Sequence, residues 1–360
     1  MKKQLKDVCE GFTKNIAQKD LSENNGKYPI FGASGIIKTI DFYISDKPYI
    51  GIVKDGSGVG RTNKYPAKSS LLGTMQYILP NQGIDLDYLM YGIRSLHLGE
   101  NYSGAAIPHI YFKVYKNRTL DFPELAEQKQ RSIVLNKIQD AINVKEKQLF
   151  ELENIIQSKF VEIFGDLDCN IKTIEQTCTM KSGTTFSKDE ENDSGEIFYI
   201  KVSGMNLPEN DKYIKTSLSF VSRKVAGKTI IPANSIIFPK RGGAIGTNKK
   251  RITEQEICID LNTMAVTPSN ELNIQYLYQY FQNLDMGKLY NGSTVPQINN
   301  KDIGPLKIKV PPLELQQQFA AFVQKIDKSK FVLQQQLQFI KKYVIMTSWR
   351  KICFYTTVAM

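Results

Sequence analysis

Two glycine-rich loops that carry cations are the parts of this sequence best suited to bind a charged partner. The first, KDGSGVGRTNK, follows the strand-like run YIGIV, and the second, KRGGAIGTNKKR, follows SIIFP. Glycine lets backbone amides approach a phosphate closely, and lysine and arginine add charge and hydrogen-bond donors. The alternative for either loop alone is a solvated hairpin, but the occurrence of the loop twice favours binding. We therefore predict nucleic-acid contacts from these loop residues: Lys54, Ser57, Arg61, Lys64, Lys240, Arg241, Thr247, Asn248, Lys249, Lys250 and Arg251.

Neither loop matches a nucleotide-binding motif. The run Gly56-Ser-Gly58-Val-Gly60 does not meet the GxGxxG pattern, and the sequence contains no GxxxxGK[ST]. At Gly227-Lys228-Thr229, the position of the required upstream glycine is held by Ser222. We therefore expect no ATP or NAD site in this chain.

Composition favours a polyanionic partner and excludes several other classes. The 360 residues carry a formal net charge of +11, and a basic protein gains affinity for nucleic acid through counterion release. The length suits two domains, no apolar run approaches a membrane span, and the start MKKQLKDVCEGF lacks the apolar core of a signal peptide. The five cysteines never form CxxC and only two histidines occur, so no metal site or disulfide framework is expected. We expect a cytoplasmic protein.

The two halves of the chain repeat one another. Lys54, Gly56, Val59 and Gly60 match Lys240, Gly242, Ile245 and Gly246 at an offset of 186. Thr74-Met75 can be set against Thr263-Met264 at an offset of 189, and GAAIPHI, which begins at Gly104, against GSTVPQI, which begins at Gly292, at 188. FPELAEQKQRSIVLNKIQ also resembles PPLELQQQFAAFVQKID. Collinear matches of this kind indicate an internal duplication.

The duplication argues against catalysis by this chain. His109 is the candidate general base, but the matching residue is Gln297, which cannot act as a base. Hydrogen bonding suits both residues, so a recognition or structural role is favoured, and the segments Gly104–His109 and Gly292–Gln297 are expected to join each domain to its helix. His97 has no repeated partner and is interpreted as a helix-surface residue. No nucleophile–base arrangement or Asn-Pro-Pro-Tyr run appears in both halves.

Two long helices are predicted, one after each mixed segment. No proline or glycine occurs between Pro123 and Gly165, and apolar residues recur at the heptad spacing of a coiled coil in both copies. We expect the helices to pack against each other, antiparallel, and to act as a ruler; the alternative is that each packs only on its own domain. Lys145 and Lys330 interrupt the seam, and the last residues, TSWRKICFYTTVAM, abandon it. The predicted packing residues are Ile138, Ile142, Leu149, Leu152, Ile156, Phe319, Val323, Ile326, Leu333, Leu337 and Ile340.

With these residues in view, the chain resembles the specificity subunit of type I restriction-modification systems over about residues 1 to 345. The resemblance is carried by IVKDGSGVGR, SSLLGTMQYILP, TVPQINNKDIGPLKIKVPPLELQQQ, GAAIPHIYF and FPELAEQKQ. It implies a mixed α/β (α+β) fold with two globular target-recognition domains, separated by two long antiparallel coiled-coil helices in a pseudo-two-fold repeat. The implied boundaries are 1–120 and 166–311 for the domains, 121–165 and 312–346 for the helices, and 347–360 for an atypical tail.

The resemblance also implies a function. The chain would read a bipartite, asymmetric site on double-stranded DNA, with the helix length setting the spacer, and have no catalytic activity or cofactor of its own. Two modification subunits would use S-adenosylmethionine to methylate adenine, and restriction subunits would use ATP and Mg for translocation and cleavage. The alternatives are a bipartite system whose partner fuses methyltransferase and nuclease, a duplicated enzyme, and a scaffold that binds only protein.

Overall fold

The protein consists of two units. The computed structural model describes residues 1–100, 102–104, 108–290 and 295–346, the last four of these by their backbone alone. Unit 1 comprises Met1–Lys147 and Gln335–Met360, and unit 2 comprises Gln148–Gln334. The predicted tail, 347–360, lies outside the described residues, as do residues 105–107 and 292–294 of the two predicted joining segments. None of the helices in the described part of the chain is long and apolar enough to cross a membrane.

The strands and helices of the two copies of the repeat follow a similar order, except that the second copy has one more strand and the helix α6 before β15. The elements of the first copy are β1 (Lys2–Gln4), α1 (Leu5–Val8), β2 (Cys9–Phe12), β3 (Tyr28–Gly32), β4 (Gly35–Ile40), β5 (Tyr49–Val53), β6 (Thr62–Tyr65), β7 (Ser70–Leu71), β8 (Met75–Pro80), α2 (Leu86–Arg94), α3 (Phe112–Tyr115), β9 (Thr119–Asp121) and α4 (Leu125–Phe164). Those of the second are β10 (Asn170–Thr173), α5 (Ile174–Thr177), β11 (Cys178–Ser182), β12 (Ile197–Ile200), β13 (Tyr213–Ile214), β14 (Phe220–Val221), α6 (Arg223–Ala226), β15 (Ile236–Pro239), β16 (Arg251–Thr253), β17 (Ile257–Ile259), β18 (Thr263–Pro268), α7 (Ile274–Gln282), α8 (Asn300–Ile303), β19 (Lys307–Val310) and α9 (Leu313–Met346).

The sheets show which parts of the repeat are shared. Unit 1 contains a four-stranded sheet in the order β2-β8-β5-β6 and a three-stranded sheet β4-β3-β7. Unit 2 contains a five-stranded sheet β11-β18-β15-β16-β13 and a three-stranded sheet β14-β12-β17. The run β2-β8-β5-β6 thus corresponds to β11-β18-β15-β16, and the units differ most between β2 and β5 and between β11 and β15.

The strand pairings correct one step of the sequence alignment. Ile50 of β5 lies opposite Ile78 of β8, and the equivalent Ile236 of β15 lies opposite Val266 of β18. Strand β8 therefore repeats as β18 at an offset of 188. Met75 therefore corresponds to Thr263, and the match of Thr74-Met75 to Thr263-Met264 at 189 is wrong by one residue. The shared Thr-Met letters favoured the wrong register, but a slip by one residue would turn the core-facing side chains to the opposite face.

The strands that lead to the two glycine loops are buried on both faces. In unit 1, Ile50 and Ile52 pack into a core with helix α2, whereas Tyr49 and Val53 pack into a second core on the other face of β5. In unit 2, Ile236 and Phe238 join the core with α7, and Ile237 joins another. Each large apolar side chain buried in this way contributes about 1.5–3 kcal/mol, so both strands are firm supports for the loops that follow them.

The part of each unit outside the long helices, residues 2–121 in unit 1 and 170–310 in unit 2, is called a module. Each module begins and ends on one short antiparallel ribbon. In unit 1, Lys2 of β1 pairs with Asp121 of β9, and in unit 2 Asn170 of β10 pairs with Val310 of β19. A long helix starts a few residues after β9 and after β19. The two ends of each module therefore lie side by side at the start of a long helix.

Two buried glutamines tie the modules to these helices. The side chain of Gln128 accepts a hydrogen bond from the Asp85 amide at 3.0 Å and donates one to the Pro123 carbonyl at 2.8 Å. In unit 2, Gln316 accepts from the Asn273 amide at 2.7 Å and donates to the Pro311 and Glu271 carbonyls. Sequence analysis assigned this joining role to the segments that end at His109 and Gln297, which instead bind the glycine loops.

The long helices α4 and α9 contact each other within each unit. In unit 2, Glu153 forms an ion pair with Lys330 at 2.9 Å, and the Phe164 ring lies 5.7 Å from that of Phe319. Rising numbers in α4 thus meet falling numbers in α9, which makes the packing antiparallel. In unit 1, Lys145 donates to Gln336 at 2.7 Å.

The two lysines that interrupt the predicted seam therefore bind polar groups of the facing helix. All of the predicted packing residues are buried or half-buried: Ile138, Ile142, Leu149, Leu152, Ile156, Phe319, Val323, Ile326, Leu333, Leu337 and Ile340.

Candidate nucleic-acid interface

The first glycine loop, residues 54–61, connects β5 to β6 and is called loop 1. Its backbone closes on itself, since the Val53 amide donates to the Arg61 carbonyl and the Gly60 amide donates to the Val53 carbonyl. Gly60 has φ +84°, and a Cβ there would lie 2.3 Å from the backbone nitrogen of Gly99. Glycine is required at position 60 because the loop packs directly on a neighbouring backbone turn.

The second glycine loop, residues 240–250, connects β15 to β16 and is called loop 2. It contains a short 3-10 helix at Gly242–Thr247 that ends at Asn248, which has φ +54°. The Asn248 carboxamide oxygen accepts hydrogen bonds from the Met286 amide at 2.9 Å and from Lys250 Nζ at 2.8 Å. Asn248 is therefore a residue that shapes the loop, since its side-chain oxygen is already engaged.

The same backbone hydrogen bonds hold both loops. Residues 108–110 are called strap 1. The Gly56 amide donates a hydrogen bond to the Pro108 carbonyl of strap 1 at 2.9 Å, and the Ile110 amide of strap 1 donates to the Lys54 carbonyl at 2.9 Å. Residues 296–298, strap 2, make the equivalent bonds with Gly242 and Lys240, at 2.8 Å and 2.9 Å. The two motifs that repeat most clearly in the sequence thus form one structural site in each unit.

The predicted contact residues differ widely in exposure. Ser57, Arg61, Lys64, Arg241 and Thr247 are exposed, and Lys54, Asn248, Lys249 and Arg251 are half-buried. Lys240 and Lys250 are buried, at 7% and 0% exposure. A ligand can reach the exposed residues but cannot reach the two buried lysines.

The expectation of a direct phosphate contact is therefore corrected for Lys250 and Lys240. Lys250 Nζ donates to Asn248 and, at 2.8 Å, to the Leu284 carbonyl, and burial lowers its pKa to about 8. Lys240 Nζ donates to Ser182 Oγ at 2.7 Å; its pKa is lowered by burial and by the neighbouring Arg241. Both side chains brace loop 2 from the inside, a role that their sequence neighbours did not reveal.

Carboxylates engage two of the predicted cations in unit 1. Lys54 Nζ lies 2.9 Å from an Asp55 oxygen, and His109 Nδ1 lies 2.7 Å from the other oxygen of that carboxylate. Lys64 Nζ lies 2.6 Å from Asp87, while Arg61 donates to the carbonyl of Ala33 at 3.0 Å. Asp55 was missed by sequence reasoning because its partner His109 is 54 residues away.

A polar groove lies beside the glycine loop of each unit. The groove in unit 1 has a volume of about 610 Å³ and is lined by Arg61, Arg94 and His97, among others. Arg94, a second residue that sequence reasoning missed, donates to Asn63 Oδ1 at 3.0 Å and to the Thr62 carbonyl at 2.9 Å. His97 lies in a turn after α2 with φ +46°, so its interpretation as a helix-surface residue was wrong.

In unit 2 a cavity of about 320 Å³ lies at the corresponding place, between the end of loop 2, α7 and the long helices. Within the residues that the structure describes, no group of three or more His, Cys, Asp or Glu side chains could hold a metal ion.

Comparison with known proteins places the repeated module in a family. The family model described as the type I restriction modification DNA specificity domain matches residues 1–154 and 167–341. Two relatives come from Methanocaldococcus jannaschii. The type I restriction enzyme MjaIX specificity subunit is 25% identical over 74% of this chain and 68% of its own length. The MjaVIII specificity subunit is 24% identical over 76% of this chain and 71% of its own length.

Solved structures show the same fold. The S subunit of a type I restriction-modification system from M. genitalium superimposes with a TM-score of 0.58 at 16% identity, over 98% of this chain and 95% of that one. A chain solved in a study of complex assembly and conformational transition of the type I R-M system gives 0.51 at 13% identity, over 97% of both chains. With two matched modules that span most of the sequence, this chain belongs to the family of type I restriction modification DNA specificity domains.

Proposed function

We propose that this chain is the DNA specificity subunit of a type I restriction-modification complex and that each unit reads one half of a bipartite, asymmetric site on double-stranded DNA. The observation that carries the proposal is the repeated loop-and-strap site. Its backbone bonds are the same in both units, whereas its side chains differ, with Asp55 and His109 in one and Arg241 and Gln297 in the other. A shared frame with different side chains suits two readers of different half-sites.

The chemistry of the exposed residues fits this role. Arg61 and Arg241 can donate to phosphate oxygens, which fix position along the duplex. Ser57 and Thr247 are small hydroxyl residues at the loop surfaces. Ser57 can donate or accept at base edges in the major groove, whereas Thr247, whose hydroxyl donates to the Ala244 carbonyl, can accept. Residues 13–48 and 183–235, where the units diverge most, would supply the remaining base contacts.

Catalysis and its cofactors belong, in this proposal, to partner subunits. Two modification subunits would bring S-adenosylmethionine and methylate a flipped adenine, and restriction subunits would bring ATP and Mg for translocation and cleavage in the cytoplasm. The names of the relatives support a type I enzyme over a system with one fused methyltransferase–nuclease partner. Separate modification and restriction genes beside this gene would support the first, and one fused gene the second.

An exchange of modules tests the proposal. Because both ends of each module lie on one ribbon, residues 170–310 can be replaced by residues 2–121 without stretching the chain. With the modification subunit co-expressed, we expect methylated sites in which both halves carry the bases that unit 1 reads. A chimera that folds and still methylates the original site would overturn the assignment of one half-site to each unit.

A further inference from the structure

Asp55 of loop 1 and Arg241 of loop 2 occupy the same place in their units. Each precedes the glycine whose amide binds the proline carbonyl of its strap, and each forms a backbone bridge to the strap, Asp55 to His109 and Arg241 to Gln297. The side chains at this position carry opposite formal charges. The two copies of the site are therefore alike in backbone and unlike in charge.

In unit 1 the charge of Lys54 is cancelled. Both oxygens of the Asp55 carboxylate are engaged, one by Lys54 Nζ and the other by His109 Nδ1. The side chains of Lys54 and Asp55 are only 13% and 20% exposed, so solvent screens this pair less than a surface pair. Lys64 is paired in the same way with Asp87, which leaves Arg61 as the loop 1 cation that binds a neutral oxygen.

In unit 2 the loop cations bind neutral oxygens. Lys240 donates to Ser182 and Lys249 to Asn206, and Arg251, the first residue of β16, donates to the carbonyl of Lys250. Arg241 is exposed, and it forms no ion pair with any residue in the described part of the chain. Asp285 acts electrostatically on the buried Lys250. Loop 2 therefore keeps more positive charge than loop 1.

We propose that the two units bind DNA unequally: loop 2 is the electrostatic anchor, and Asp55 is the specificity-determining residue that keeps loop 1 from becoming a second one. The inference rests on the proposed function. The Asp55 carboxylate neutralises Lys54, so unit 1 depends on Arg61 and on neutral donors such as Ser57. The phosphate contacts of loop 2 then supply affinity that does not depend on sequence. Loop 1 supplies less of it, so binding through unit 1 depends more on base contacts.

The test uses the complex of this chain with its modification subunit and measures the dissociation constant of a target duplex between 50 and 200 mM salt. Arg241→Gln should weaken binding and reduce the salt slope by about 0.9, because one phosphate contact is lost. The loss of affinity should therefore be about 3.5-fold greater at 50 mM than at 200 mM. Asp55→Asn, at the equivalent position, should act in the opposite direction, with tighter binding and a steeper slope.

A double variant separates charge from loop damage. Asp55→Asn combined with Lys54→Met removes the released cation together with its carboxylate, so the slope should return to that of the wild type. Weaker binding by Asp55→Asn with an unchanged slope, at an unaltered melting temperature, would overturn the inference. A wild-type complex that binds no DNA contradicts the proposed function as well, whereas a complex that binds, with both single variants shifting in the same direction, contradicts the inference alone.

Discussion

Replacing Gly60 by alanine should damage loop 1, whereas the same change at Gly246, its repeat counterpart, should be tolerated. At Gly60 the backbone has φ +84°, and an added Cβ would lie 2.3 Å from the nitrogen and 2.7 Å from the Cα of Gly99. These are backbone atoms, so no side chain can rotate away. At Gly246 no atom lies within 4 Å of the added Cβ, and φ is outside the left-handed region.

The two changes therefore differ in expected cost. A left-handed alanine costs about 1–2 kcal/mol, and forcing extra volume into a packed site costs about 1–3 kcal/mol more. Gly60→Ala should lower the free energy of unfolding by about 2–5 kcal/mol or shift loop 1 off its strap, whereas Gly246→Ala should stay within about 0.5 kcal/mol of the wild type.

Equilibrium urea unfolding followed by circular dichroism measures the free energies, and titration of the assembled complex with target DNA reports on the loop. We expect Gly60→Ala to weaken specific binding because Ser57 and Arg61 lie on the displaced loop. A Gly60→Ala variant that unfolds and binds like the wild type, or a Gly246→Ala variant that is equally impaired, would refute the reasoning from the close approach to Gly99.

Three further predictions concern the interior and the helices. Lys250 has a folded-state pKa of about 8, below its ordinary 10.5, so the folded state binds fewer protons than the unfolded state between these values, and stability should rise with pH across that window. Between pH 7 and 9.5 the free energy of unfolding of the wild type, relative to Lys250→Met, should rise by roughly 1.5–2 kcal/mol, while the exposed control Lys301→Met should show no such trend. Gln316→Leu should lower the free energy of unfolding in urea by about 2–4 kcal/mol, because the Asn273 amide and two carbonyls lose their partner. The change Gln317→Leu at the exposed neighbour should be near neutral. Equal effects of the two changes would contradict the joining role of Gln316. Four-residue helical insertions after both Leu149 and Leu333 add about 6 Å to each helix. They should lengthen the DNA spacer by about one or two base pairs and leave both half-sites unchanged. Altered half-sites at constant spacing would exclude helix length as the ruler.

The repeat and the long helices were accessible from sequence because their signals are local. The stretch from Pro123 to Gly165 has no helix breaker, and its heptad spacing marks the face that meets the other helix. The glycine loops were recognised because an apolar, strand-like run is followed directly by glycines and cations in both halves. Comparison of the halves then matched the loops and straps that the structure shows to be bonded together.

The burial and pairing of individual charges were not accessible in this way. Lys240 and Lys249–Arg251 fall within twelve residues of the sequence. Lys250 and Lys240 nevertheless point into unit 2, because Leu284 and Ser182, distant along the chain, supply their oxygens. The pairing of Asp55 with His109, and the one-residue error at Met75, have the same origin. Both depend on strand register and on contacts between remote segments, for which a single sequence holds no direct signal.

Mapping of methylated adenines in cells that co-express this chain with its modification subunit tests the central claim most directly. The account predicts one split motif with a fixed spacer, methylated only when both proteins are made. When the loop of one unit is disabled, the sequence requirement in the half of the motif that this unit reads should be lost. Methylation at the same sites without this chain, or no methylation despite a stable complex with an active modification subunit, would contradict its role as the reader of the DNA target.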